Sequence, residues 1–268
     1  MQRRGFGWIE LYGVLFIALL YGPMLLLPIF SFNDSLYIAF PFKGFTFKWY
    51  LEMAADSALL AALRNSLFVA IPVSVVCTVL GLLTAKALTR FRLPGRRAVM
   101  GLIMVPLVIP FIILGIALLT TLRKTFDVPL SLWTVAAGHV LICLPFSVMV
   151  LISRLEGFDR SLEEASLDLG ESAWSTFWRI TFPIVLPGIV SSLLLCFTAS
   201  FDEFLIAFFL SGDQATLPLF IWSQLRFPQK LPSVLALGSC ILVLSFIMIV
   251  LAEKMRRGGV RTQENSAF

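Results

Sequence analysis

The chain has 268 residues, 59% of them apolar and only 14% charged, where an average soluble protein carries roughly a quarter charged. That balance excludes a disordered chain and argues against a water-soluble enzyme. The formal charge of +5, from 21 Lys and Arg against 16 Asp and Glu, could suit a nucleic acid by number alone, but the basic residues are placed between long apolar runs, so no nucleic-acid partner is expected.

Arg3 and Arg4 precede the first apolar run and faintly resemble a twin-arginine signal. A signal peptide is not the reading adopted: the run has 22 residues against the about 7 to 15 of a signal core, and no small-x-small cleavage site follows. Met1 is therefore expected to begin the mature chain. Charge-free runs then recur at residues 11–32, 65–85, 98–122, 128–153, 180–201 and 231–252. About 20 helical residues cross a hydrocarbon layer of about 30 Å, and continuous runs of this kind do not read as the alternating strands of a barrel. The expected fold is an all-α membrane protein, one transmembrane domain over 1–268 with six transmembrane helices at about 11–32, 65–86, 98–122, 130–153, 183–210 and 231–252. The fifth is carried past Asp202 and Glu203 to reach its natural length.

Lys and Arg in the connections set the orientation. Fourteen of them fall on the side of the two termini and seven on the other, so both termini are expected in the cytoplasm and the protein in the bacterial inner membrane. Lys86, Arg90, Arg92, Arg96 and Arg97 surround the turn Leu93-Pro94-Gly95, where contact with anionic lipid is a natural by-product. Cys77, Cys143, Cys196 and Cys240 lie inside spans without paired spacing and read as packing residues; His139 is the one histidine, too few for a metal site. No P-loop, nucleophile elbow or zinc-protease motif occurs, so the chain is expected to be no enzyme and to bind no cofactor of its own.

One connection, 154–182, differs from its surroundings. Six of the sixteen acids lie there: Glu156, Asp159, Glu163, Glu164, Asp168 and Glu171. Ser161-Leu162-Glu163-Glu164 fits a capping box, which predicts a helix starting with Ser161 as its N-cap. Leu162, Ala165, Ser166 and Leu169 then fall on one narrow face, and Gly170 stands where a left-handed residue would end the helix. Two turns are too short to be stable alone, so this helix needs a partner surface, in its own domain or on another protein. A second amphipathic stretch from Ser172, with Trp174, Phe177 and Trp178, reads as an interfacial elbow feeding the fifth span.

Glu164-Ala165-Ser166, then Gly170, Ile180 and Phe182-Pro183 at their spacing, resembles the EAA signature of permease subunits of binding-protein-dependent ABC importers, with Ser166 for an alanine and Phe182 for a leucine. The resemblance implies a type I importer permease (MetI-like) fold in which 154–182 carries a cytoplasmic coupling helix gripped by a separate ATPase. Carried over, Glu164 and Ala165 would contact that ATPase and Gly170 would make the turn; Leu162, Asp168 and Leu169 join them from the same short helix. It also implies the partners: a second permease subunit, two ATPase subunits that bind ATP and Mg, and a periplasmic solute-binding protein. The residues Ser31-Phe32-Asn33-Asp34-Ser35, Lys48-Trp49-Tyr50 and Gly157-Phe158-Asp159 are most similar to the polyamine group of this family, the second permease of spermidine and putrescine importers. Importers of other organic solutes, such as amino-acid derivatives or opine-like compounds, and of iron(III) share that group. A freestanding secondary transporter or channel is the reading of a different class, and it gives the acidic loop no evident task.

Asp202 and Glu203 are a separate physical signal. A carboxylate deep in a span costs roughly 2.5 to 3.5 kcal/mol on insertion scales, which points to a water-filled cavity, a buried partner such as Arg64, or a bound cation. Adjacent helical residues point about 100° apart, so one of the two is expected to face a substrate pathway, with Phe201 and Phe204 flanking it. The family resemblance implies that the external segments 34–64 and 212–230 meet a solute-loaded binding protein; the alternative is that they simply cap the bundle.

Overall fold

The computed structural model describes residues 8–244 and 246–247, and among these the protein is helical, with no strand and a single antiparallel bridge between Asn33 and Phe45. Arg3, Arg4, Lys254, Arg256, Arg257 and Arg261, used above for orientation, lie outside the described residues, as does the end of the sixth expected span. The helices are α1 (Trp8–Ser31), α2 (Lys48–Ala55), α3 (Ser57–Arg90), α4 (Arg96–Val108), α5 (Phe111–Thr120), α6 (Leu132–Glu156), α7 (Ser161–Asp168), α8 (Ala173–Thr176), α9 (Phe182–Phe201), α10 (Leu205–Leu210), α11 (Leu217–Gln224) and α12 (Pro228–Leu244).

Four stretches are long and apolar enough to cross a membrane: Glu10–Ser31, Ser57–Arg90, Leu132–Glu156 and Ala173–Phe201. A fifth is formed if α4 and α5 count as one span, while α12 is the described part of the sixth. The third expected span, a single helix over 98–122, is corrected here: the chain bends by 99° between α4 and the helix Phe111–Thr125. Pro110 is the cause. It brings no amide, and it drives Ile109 before it into extended backbone at φ −77°, ψ 128°. The fifth expected span is corrected too, because its helix stops at Phe201 and restarts as α10 after a break at residues 202–204.

The chain forms two compact units, one of residues up to Ser57 together with those from Ile221, the other Ala58–Phe220. In the first, the Asn33 side chain accepts from the Lys43 amide at 2.9 Å, its carbonyl accepts from Trp49 Nε1 at 2.9 Å, and Phe32 stacks between Phe45 and Tyr50. In the second, α6 is central and packs along α9. Thr78, Ser192 and Ser147 link α3, α9 and α6 by hydroxyl contacts of 3.0 and 2.7 Å. Gly81 lies so close to Ser147 that any side chain would collide with it. Small residues and interhelical hydrogen bonds are the usual glue in lipid, where apolar surface alone gives helices no reason to associate. Cys77, Cys143 and Cys196 are buried in this seam with free thiols, and Cys240 is exposed, also free.

Candidate functional site

The short helix α7 begins and ends on identifiable side chains. Asp159 makes the start: its Oδ1 accepts from the Ser161 amide at 2.9 Å, and the amides of Leu162, Glu163 and Glu164 are taken by the carbonyls of Asp159 and Arg160. The expected capping box is therefore corrected. Ser161 is already helical, and Glu164 turns outward to Arg160, 2.9 Å away. A carboxylate two residues upstream offers the free amides a charged acceptor, which a serine hydroxyl does not. The Asp159 carboxyl, accepting first from the Ser161 amide and also from its hydroxyl, is held below the usual carboxylate range. At the other end Gly170 has φ +87°, its amide donating to Leu167 O, while the Glu171 amide donates to Ser166 O at 3.2 Å. This 6→1 and 5→2 pair closes the helix and reverses the chain into Ser172, whose hydroxyl caps α8 by accepting from the Ser175 amide.

The helix is fastened to the rest of its unit along one side. Glu163 Oε1 accepts from the Thr181 hydroxyl at 2.6 Å, and Glu163 Oε2 lies 2.6 Å from Arg90 Nε, the last residue of α3. Only 13% of the Glu163 side chain and 11% of that of Arg90 remain exposed. The guanidinium also lies 5.2 Å from the ring centre of buried Phe158. One turn on, buried Ser166 meets Thr176 of α8, hydroxyl to hydroxyl, at 2.9 Å.

The other side of α7 is open. Leu162 and Leu167 are each 47% exposed and Leu169 is 87% exposed, and Glu164, Ala165 and Asp168 are exposed with them. The single apolar face expected from the sequence is divided accordingly: Ser166 turns inward, and Leu162, Ala165 and Leu169 turn out. What the sequence reading missed is Glu163 and its partner Arg90. The available signal was spacing, since Glu163 and Ser166 stand three apart and so are neighbours on the helix surface. Beside the elbow, Lys86 lies over the Phe177 ring at 4.6 Å, and the Arg154 guanidinium donates twice to Ile184 O.

At the α9–α10 break the two adjacent acids differ completely. Glu203 is buried, and its carboxylate accepts from the amides of Leu205, Ile206 and Ala207 at 2.9, 2.8 and 3.2 Å, so it fills the N-terminal end of α10. His139 of α6 approaches it at 3.3 Å through Nε2 and holds Ser200 at 2.8 Å through Nδ1. The partner of Glu203 is thus the one histidine, which the sequence reading assigned no task, and not Arg64. Asp202, at the end of α9, is exposed, and Phe201 and Phe204 on either side of it are half-buried. Ring contacts pair Phe201 with Phe197 at 5.7 Å and Phe204 with Phe208 at 5.8 Å.

Fold and site together define a multi-pass helical membrane subunit that leaves a short, well-capped helix uncovered beside its bundle. Residues 77–258 match the family described as the binding-protein-dependent transport system inner membrane component, and the chain belongs to that family. It is 35% identical over 241 residues to the spermidine/putrescine transport system permease protein PotC of Escherichia coli K12, covering 90% of each chain. It is 37% identical to the putrescine transport system permease protein PotI of the same organism, covering 88% of this chain and 89% of that one. A solved bacterial alginate ABC transporter, in complex with an alginate pentasaccharide-bound periplasmic protein, shares the fold with a TM-score of 0.69 at 15% identity, over 92% of each chain. The protein is accordingly a multi-pass inner-membrane permease, an all-α chain with the fold of ABC importer permeases.

Proposed function

We propose that this chain acts as one transmembrane domain and forms one half of the pathway of an ATP-driven importer for a polyamine such as spermidine or putrescine. A second permease chain supplies the other half, two separate ATPases bind ATP and Mg, and a periplasmic receptor delivers the solute. The names of the relatives support the solute class. The observation that carries the reading is the uncovered side of α7, where Leu162, Ala165, Leu167 and, at the C-terminal end, Leu169 form an apolar handle while another side is fixed to the chain's own body. Leu162, Glu164, Ala165, Asp168 and Leu169 are the surface an ATPase would grip, and Gly170 sets the turn that presents them. A short rigid helix tied to membrane spans converts rigid-body movement of such a motor into a change of access across the bilayer. The basic balance of the connections supports placing α7 and both termini in the cytoplasm.

Asp202 is the residue proposed to meet the cation. It is exposed at the end of α9, where the last helical carbonyls add partial negative charge, and the Phe201 and Phe204 rings can offer their faces to an ammonium group. Glu203 is spent on α10, so its part is to hold the break that presents Asp202. This chain performs no covalent chemistry in this scheme; it positions, admits and releases. The test is purification of the chain with its neighbouring transport subunits and reconstitution into vesicles. ATP-dependent uptake of spermidine or putrescine that needs the ATPases is the expected result; uptake by this chain alone would contradict it.

A further inference from the structure

The side of α7 that faces inward raises a question its outward side does not: through which atoms does a push on an eight-residue helix reach the spans? Such a helix has little stability of its own, so its rigidity is borrowed from its attachments. Three ion pairs near it, Arg160 with Glu164, Arg179 with Glu171 and Arg96 with Glu156, are solvent-exposed and hold little. Glu163 is different. Its two oxygens go to two different elements, Oε2 to Arg90 at the end of α3 and Oε1 to Thr181 immediately before α9, and the carboxylate and guanidinium are both largely enclosed.

We propose that Arg90, Glu163 and Thr181 form a clasp that carries movement of α7 into α3 and α9 together, making them positioning residues for the coupling of ATP hydrolysis to transport. The proposal rests on the role given to α7 under Proposed function. Arg90 Nε and Nη2 have no hydrogen-bond acceptor in line, so the Arg90–Glu163 link is a close charge contact and not a bidentate fork. The Phe158 ring also packs against the guanidinium, its centre 5.2 Å from Arg90 Cζ. Ser166 and Thr176 add a second, uncharged tie to α8.

The experiment measures solute taken up per ATP hydrolysed by the complete complex in vesicles, with the ATPase recovered alongside this chain as the assembly readout. Glu163→Gln should lower uptake per ATP by about fivefold or more in complexes that still assemble. Thr181→Val, which removes one hydrogen bond, should lower it about twofold. The double exchange Arg90→Glu with Glu163→Arg should recover part of the lost uptake per ATP, because the opposite charges face each other again; the ratio in assembled complexes, and not the recovery alone, separates coupling from a merely structural role. An assembled Glu163→Gln complex with the wild-type ratio overturns the clasp. Should Glu163→Gln fail to assemble, Thr181→Val decides: a wild-type ratio there overturns the clasp and a lowered one supports it. Wild-type chain that recovers no ATPase overturns the coupling role of α7 itself, and the clasp with it.

Discussion

The elbow at α7 and the break between α9 and α10 each carry two neighbouring acids, and in each the pair is divided in the same way. At the elbow Glu163 is enclosed and engaged by Arg90 and Thr181, while Glu164 stands in the open. At the break Glu203 is enclosed and engaged by three amides and His139, while Asp202 stands in the open. Within α7 successive residues point about 100° apart, and at the break the chain leaves the helix between the two acids, so in both places a doublet can use one member to fasten a short helix and leave the other for a partner. The fastenings differ in kind. Glu163 ties a helix from its side, with a cation; Glu203 fills the end of a helix inside an apolar bundle, where unmet amides are most costly.

The largest expected effect tests the deeper fastening. Glu203→Leu strands three amides and leaves His139 without its neighbour, and should cost about 3 kcal/mol or more. A fall in the thermal unfolding midpoint of the detergent-purified protein reads it, and Glu203→Gln, which keeps one acceptor, should fall less. An unchanged midpoint for Glu203→Leu would break the parallel between the two regions. Next in size is Gly170→Val, which forces a β-branched residue to φ +87° at a strain of about 1–2 kcal/mol. ATP-driven uptake should drop, while Gly170→Asn, which tolerates the left-handed region, should retain most of it.

The open acids give smaller effects. Asp202→Asn should assemble normally and lower polyamine uptake about tenfold, equivalent to about 1.4 kcal/mol, without moving the unfolding midpoint. If uptake is unchanged, the division of labour holds at the elbow only. Smallest is the response of α7 to acid. The Asp159 carboxyl is held below its ordinary value, so what it adds to the helix start is fully present above about pH 4 and fades as the pH falls through its lowered value. Amide exchange at Ser161 to Glu163 should be unchanged between neutral pH and about pH 5 and faster below about pH 4, once corrected for intrinsic exchange; faster exchange already at pH 5 would count against this cap.

Much of this was legible in the sequence, for physical reasons that also explain the rest. Long charge-free runs mark helices in lipid because the backbone has no other way to satisfy itself, and Gly170 was readable because few residues accept a positive φ. The acids' loop stood out by composition alone. The breaks were not legible. Pro110 lies in an unbroken apolar run like Pro72 inside α3, and whether a proline bends a helix or is absorbed depends on the neighbours that re-satisfy the freed carbonyl. Glu164 drew attention through the capping-box and EAA spacings, and neither spacing says that the adjacent Glu163 meets a cation 73 positions earlier in the chain. His139 was set aside as a lone histidine, since its partners Ser200 and Glu203 are more than 60 residues away.

The central claim is that the outward side of α7 is a handle held by another subunit. Photo-crosslinking measures it directly: a reactive residue placed at Leu162 or Leu169 in the assembled transporter, with one at buried Ser166 as the control. The account expects adducts with an ATPase subunit from positions 162 and 169 and none from 166. Adducts from 162 and 169 confined to lipid or to this chain itself would contradict it.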